Sequence, residues 1–163
     1  MSTATEPEKP TVSGLLGLPE YVPGELSRVA SQIVFDSTLE WRVVGDLRTR
    51  LATVHDEKGE PLGWTEQSGK GTRQVVLPGG VKPPVFFEDK FFSRRVWMGD
   101  TAFKPVMMLE GRMRVWGDDR IRLEHRDFKS EVRFRCDPGM VIPAVLVAFE
   151  VYALPGLHPR RSG

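Results

Sequence analysis

The segment Met140–Leu154 constrains this chain more than any other. It reads Met-Val-Ile-Pro-Ala-Val-Leu-Val-Ala-Phe-Glu-Val-Tyr-Ala-Leu, with Glu150 as its only charged residue. A segment that is apolar on nearly every side must be enclosed by protein or by lipid. It is shorter than the ~18–20 residues that a membrane-spanning helix needs. We therefore expect a central core element wrapped by the strands that precede it. Asp137-Pro138 supplies an N-cap residue with proline in the first turn, and Pro155-Gly156 supplies a stop, as for a helix. The β-branched Val141, Ile142, Val145, Val147 and Val151 favour a strand instead. Both forms stay open, with the punctuation on the side of the helix.

What precedes that segment is written mostly in short alternating runs. Leu51–His55, the polar turn Asp56–Glu60 and Pro61–Gln67 make a hairpin. Gln74–Leu77 and Arg94–Met98 are further strands. Arg112–Trp116 and Arg120–His125, joined at Gly117-Asp118-Asp119, form the cleanest hairpin, and Val132–Cys136 follows. Glu25–Phe35 is ambiguous, because Leu26, Val29, Ala30 and Ile33 follow helical spacing. Eight to ten short strands with one late buried helix point to an antiparallel β-barrel, whose closure removes exposed strand edges. Residues 1–13 are expected to be a disordered tail, 14–157 one barrel-like domain, and 158–163 a short basic tail.

Composition narrows the function classes only a little. The 163 residues carry a net charge of +1, so nothing global points to nucleic acid. The single Cys136 excludes an internal disulfide and fits a reducing compartment. The polar start of the chain has no signal-peptide core, so a cytoplasmic protein is expected.

The run Val-His-Asp-Glu-Lys-Gly-Glu-Pro-Leu-Gly-Trp-Thr-Glu-Gln, at 54–67, resembles the strand–Asp-x-x-Gly-x-x-Leu-Gly–strand units of LURP-one-related and phospholipid-scramblase-like proteins. These belong to the tubby C-terminal-like superfamily. Val96–Leu109 resembles a second, looser unit, and Met140–Leu154 is similar to the hydrophobic C-terminal helix of that family. The resemblance implies a twelve-stranded barrel threaded by that helix. Counterparts of a scramblase's calcium-binding segment and cysteine-rich palmitoylation site are missing, so lipid transfer is not implied.

The residues that could carry chemistry are few. His55, His125 and His158 lie far apart without metal-ligand spacing, and one cysteine gives no zinc signature. No Gly-x-Ser-x-Gly elbow, P-loop or dinucleotide fingerprint occurs, so no catalytic residue, metal or cofactor is assigned. Ser68–Thr72 has the residues of a phosphate loop, without the preceding glycine or following helix, and reads as a turn. Cys136 alternates with Arg133 and Arg135, which places it inward as a structural thiol.

Arginines are the stronger signal. Arg112, Arg114, Arg120, Arg122, Arg133 and Arg135 recur at alternate positions on consecutive strands, and several should share one outward face. Residues 112–135 hold eight Lys/Arg against five Asp/Glu, a local excess on a nearly neutral chain. Arginine's planar fork suits phosphate. The expected function is a non-enzymatic binding or structural domain that recognises anionic lipid or phosphate through this face. A solvated wall of cross-strand Arg–Glu pairs would look the same in sequence. Phe86, Phe87, Phe91 and Phe92, beside a Pro-Pro loop, are the candidate protein-partner surface. Two alternatives stand beside this reading: a barrel that carries or transforms a hydrophobic small molecule, and a subunit of a larger assembly. For Glu150 we expect a place toward one end of the core helix, near a strand-end histidine or arginine.

Overall fold

The structure is a computed structural model that describes residues 10–17, 32–46, 48–90, 93–103, 106–108, 113–118, 120–126 and 131–153. Thirteen short strands form one antiparallel sheet. They are β1 (Val12–Gly17), β2 (Gln32–Ser37), β3 (Arg42–Asp46), β4 (Ala52–His55), β5 (Pro61–Gly69), β6 (Thr72–Val76) and β7 (Val85–Lys90), followed by β8 (Ser93–Met98), β9 (Thr101–Phe103), β10 (Val106–Met108), β11 (Met113–Gly117), β12 (Ile121–Arg126) and β13 (Glu131–Cys136). Each strand pairs with its sequence neighbour, except that β9 and β10 stand at the two ends of the sheet and β13 pairs with β1.

The two sheet ends are nevertheless close. Phe103 and Val106 are three Cα steps apart along the chain, at most ~11 Å. Strand β9 bonds to β8 and β10 bonds to β11, so the two act as one strand that bridges the seam. Counted that way, twelve strands make a nearly closed barrel. The expectation of eight to ten strands was low because β1 starts in a stretch with tail composition, β2 follows a run with helical spacing, and β9 is too short at three residues to show alternation.

The barrel forms around the apolar segment because nothing else could cover it. After a single 3-10 turn, Pro138–Met140, helix α1 runs Val141–Ala148 and continues as a wider π-turn over Phe149–Ala153. The helical alternative holds. Val141 and Pro143 to Glu150 are all buried, and α1 packs on β1, β4, β5, β12 and β13. Two inward glycines let the wall approach. A Cβ at Gly45 would stand 2.0 Å from the Phe149 ring, and one at Gly63 would stand 2.4 Å from Ile142. The helix thus fills the space in which a carrier would hold a hydrophobic molecule. No helix among the described residues is long and apolar enough to cross a membrane.

Two boundaries differ from expectation. Val12 and Ser13, assigned to the tail, belong to β1 and pair with Cys136 and Arg135. The partner strand decides this, since tail composition carries no information about β13. The ambiguous segment ends as strand β2, with Ile33 opposite Gly45 and Phe35 opposite Val43. Residues 25–31 and the basic tail lie outside the described residues.

Candidate functional site

Strand parity sorts the arginines. On β13, Val132, Phe134 and Cys136 are buried, so Glu131, Arg133 and Arg135 face outward. On β12, Ile121 and Leu123 are buried, which turns Arg122 and Glu124 outward. The register then sets Arg122 directly opposite Arg135, and Glu124 opposite Arg133. Like charges placed opposite each other repel. Arg122 relieves this by turning along its own strand to Glu124, with Nε donating at 2.9 Å. Arg133 and Arg135 are exposed and have no carboxylate partner among the described residues.

The remaining arginines do not join this wall. Arg114 alternates with the buried Trp116 and pairs with His125, which puts it on the inward row at a barrel mouth, where it is exposed. The shared-face expectation fails for it because β11 is phased by Trp116. Arg120 is held in the β11–β12 turn, where Nε and Nη2 both donate to Asp118 Oδ2, at 3.0 and 2.8 Å. Its guanidinium also lies 6.0 Å from the Phe103 ring centre. Burial raises the Asp118 carboxyl, but the Arg120 hydrogen bonds and charge outweigh it and hold the group below its usual value. Arg112 lies outside the described residues.

Beside Arg133 and Arg135 the wall is concave. Strand β1 pairs with β2 only at Leu16 and Gly17, so among the described residues the first half of β1 has no strand on that side. The β2–β3 turn reaches across instead: Leu15 N–H donates to Thr38 Oγ1 at 3.1 Å, and Thr38 N–H donates to the Leu15 carbonyl at 3.0 Å. A groove of about 520 Å³ results, lined by Ser13, Leu15, Thr38, Arg122, Glu124, Arg133 and Arg135 with Gly14 and Phe134.

The phenylalanines divide in the same way. Phe87 is fully buried in the core and is not a partner surface, since β7 turns Val85 and Phe87 inward together. Phe86 faces outward but is stacked on Trp97, with ring centres 5.6 Å apart. Phe91 and Phe92 lie outside the described residues.

The largest feature missing from the sequence reading is an ionic chain that runs from surface to core. Arg50 donates to Asp89 at 2.8 Å, Arg73 donates to the same Asp89 oxygen at 2.9 Å, and the other end of Arg73 pairs with Glu150. Side-chain exposure falls along it, from 40% at Arg50 through 30% and 5% to 2% at Glu150. Burial lowers the affinity of Arg73 for its proton, but the hydrogen bond it donates to Asp89 and the charges of Glu150 and Asp89 outweigh this and raise it. Glu150 lies at the C-terminal end of the helix, as expected, and of the two expected kinds of partner it takes an arginine, the inward Arg73 near the start of β6. Arg73 was legible in principle, being two residues before the inward Val75.

The other candidates are structural. His55 Nδ1 is 3.3 Å from the Gly59 carbonyl in the β4–β5 turn, and Ser68 Oγ meets Thr72 Oγ1 at 3.1 Å across the β5–β6 turn. Cys136 points inward, and burial, with Asp137 nearby, pushes its thiol up to about 11. No group of metal-ligating side chains occurs among the described residues. Comparison with known proteins adds nothing further: no family model, no curated protein and no solved structure matches this chain.

Proposed function

We propose that the chain is a non-enzymatic binding domain that takes an anionic, oxygen-rich group on the outer wall formed by β12, β13 and β1. One observation carries this reading: Arg133 and Arg135 stand exposed on one face, next to a groove, and make no ion pair with a carboxylate among the described residues. Arg122 flanks them but is already paired with Glu124. Exposed guanidinium groups without partners keep a positive potential available to an incoming anion, and arginine matches phosphate geometry. The filled interior supports an outer-wall site over a lumenal one. The resemblance to LURP-one-related and scramblase-like barrels agrees with a lipid headgroup as the source of the anion, without implying lipid transfer.

Flotation with phosphatidylcholine vesicles, with and without phosphatidylserine, tests the reading. The protein is expected to float only with the anionic lipid, and less as salt is raised, because surface charge is screened. Arg133→Gln/Arg135→Gln is expected to abolish flotation. Equal partitioning to both vesicles, or binding insensitive to salt, would refute the reading.

A further inference from the structure

The groove carries more than charge. We propose that it is a discrete site for a phosphate monoester group on a small carbon skeleton, an inference that rests on the anion-binding reading above. Several hydrogen-bond donors converge there. Thr38 Oγ1 accepts the Leu15 N–H, which leaves its own hydroxyl proton to give. Ser13, exposed at the groove rim, adds a second hydroxyl.

A backbone donor joins them. The N–H and C=O of Leu15 both point toward the β2–β3 turn. In an antiparallel strand these groups change side with each residue, so those of Ser13 point the same way. Among the described residues no strand pairs with Ser13 there, because β1–β2 pairing stops at Leu16. Arg133 and Arg135 project from alternate positions of β13, ~6.6 Å apart along the strand.

Two guanidinium groups, two hydroxyls and one amide exceed what the two oxygens of a carboxylate can accept. A phosphodiester likewise has only two non-bridging oxygens. A terminal phosphate has three acceptor oxygens and a charge near −2 at neutral pH, which balances two unpaired arginines. Glu124 also lines the groove, but its charge is offset by Arg122. A groove of about 520 Å³ falls within the ~300–1,000 Å³ of small-molecule sites. Leu15, on the outer row of β1, gives an apolar flank for the skeleton.

Calorimetry with glycerol 3-phosphate, with glycerol as the control, tests this. Saturable binding of the ester at one site per chain is expected, with none of glycerol. Thr38→Val and Ser13→Ala should each weaken it roughly five-fold, the worth of one hydrogen bond. Flotation on phosphatidylserine vesicles should stay salt-sensitive and arginine-dependent in both variants, and Ser13→Ala at an exposed position keeps the test valid if Thr38→Val unfolds. Flotation on phosphatidic acid vesicles identifies the source: preference over phosphatidylserine marks a lipid monoester, and no preference marks a soluble one. Absent saturation, or full affinity in both hydroxyl variants, overturns the proposal. If phosphatidylserine flotation stays salt-sensitive and arginine-dependent in that case, anion binding by the wall survives while the monoester site fails.

Discussion

Replacing Arg73 by methionine should be the most damaging single change in the polar interior, and more so than neutralising Glu150. Arg73 is 4% exposed and is shared by two carboxylates, Asp89 at 2.9 Å and the buried Glu150. Removing one partner of a buried pair costs ~3–5 kcal/mol, because the remaining charge stays in a low-dielectric site. Glu150→Gln is milder: the amide oxygen still accepts from Arg73, and Arg73 keeps Asp89. Its cost is ~1–2 kcal/mol, the loss of charge from one hydrogen bond. Arg73→Met/Glu150→Leu should be more stable than Arg73→Met alone, since an apolar pair of similar volume leaves no buried carboxylate on the helix. Urea melts of wild type, Arg73→Met, Glu150→Leu and Arg73→Met/Glu150→Leu give the coupling through a double-mutant cycle, with Glu150→Gln melted beside them. Additive losses, or Glu150→Gln proving worse than Arg73→Met, would refute an inward arginine that serves both carboxylates.

Two further outcomes follow from perturbed groups. With its thiol pushed up to about 11, Cys136 should resist a thiol-specific reagent in the folded protein at pH 8 and react promptly in urea; equal rates in both states would contradict its burial. Asp118, held by Arg120 below its ordinary value of 3.8 when folded, binds its proton more readily in the unfolded chain. Its contribution is present above that value and is lost as pH falls through the lower folded one, so the melting-temperature gap between wild type and Asp118→Asn should narrow below about pH 4. A gap that is constant with pH would contradict the Arg120 contact.

The sequence was most legible where one physical signal dominated. Met140–Leu154 is apolar on all sides, and an element of that kind has only one place in a β-protein. The Arg112–His125 hairpin alternates strictly, so its strands were found with nearly correct ends. What stayed hidden depended on phase or on distant partners. Arg114 and Arg122 look equivalent in a list of alternating arginines, yet Trp116 and Leu123 fix opposite faces for them. Arg73 stood just outside the strand read at Gln74–Leu77, so its alternation with Val75 went unused. The groove could not be read at all: it exists because β1 parts from β2 above Leu16, and register between segments twenty residues apart is not written in either one.

The place of the helix in the chain has a consequence for biosynthesis. A ribosome makes the wall first and its filling last, since α1 begins at Val141 of 163 residues. Strand β1 must also wait for β13, more than a hundred residues later, before its outer partner exists. Until then the inward faces of twelve strands have nothing to pack against, and pairing at such sequence separation is slow. The nascent chain therefore exposes apolar strand faces that the finished molecule never shows, a state in which chaperone capture competes with aggregation. A stop codon before Val141 should yield insoluble material instead of a smaller folded barrel, however complete its set of strands.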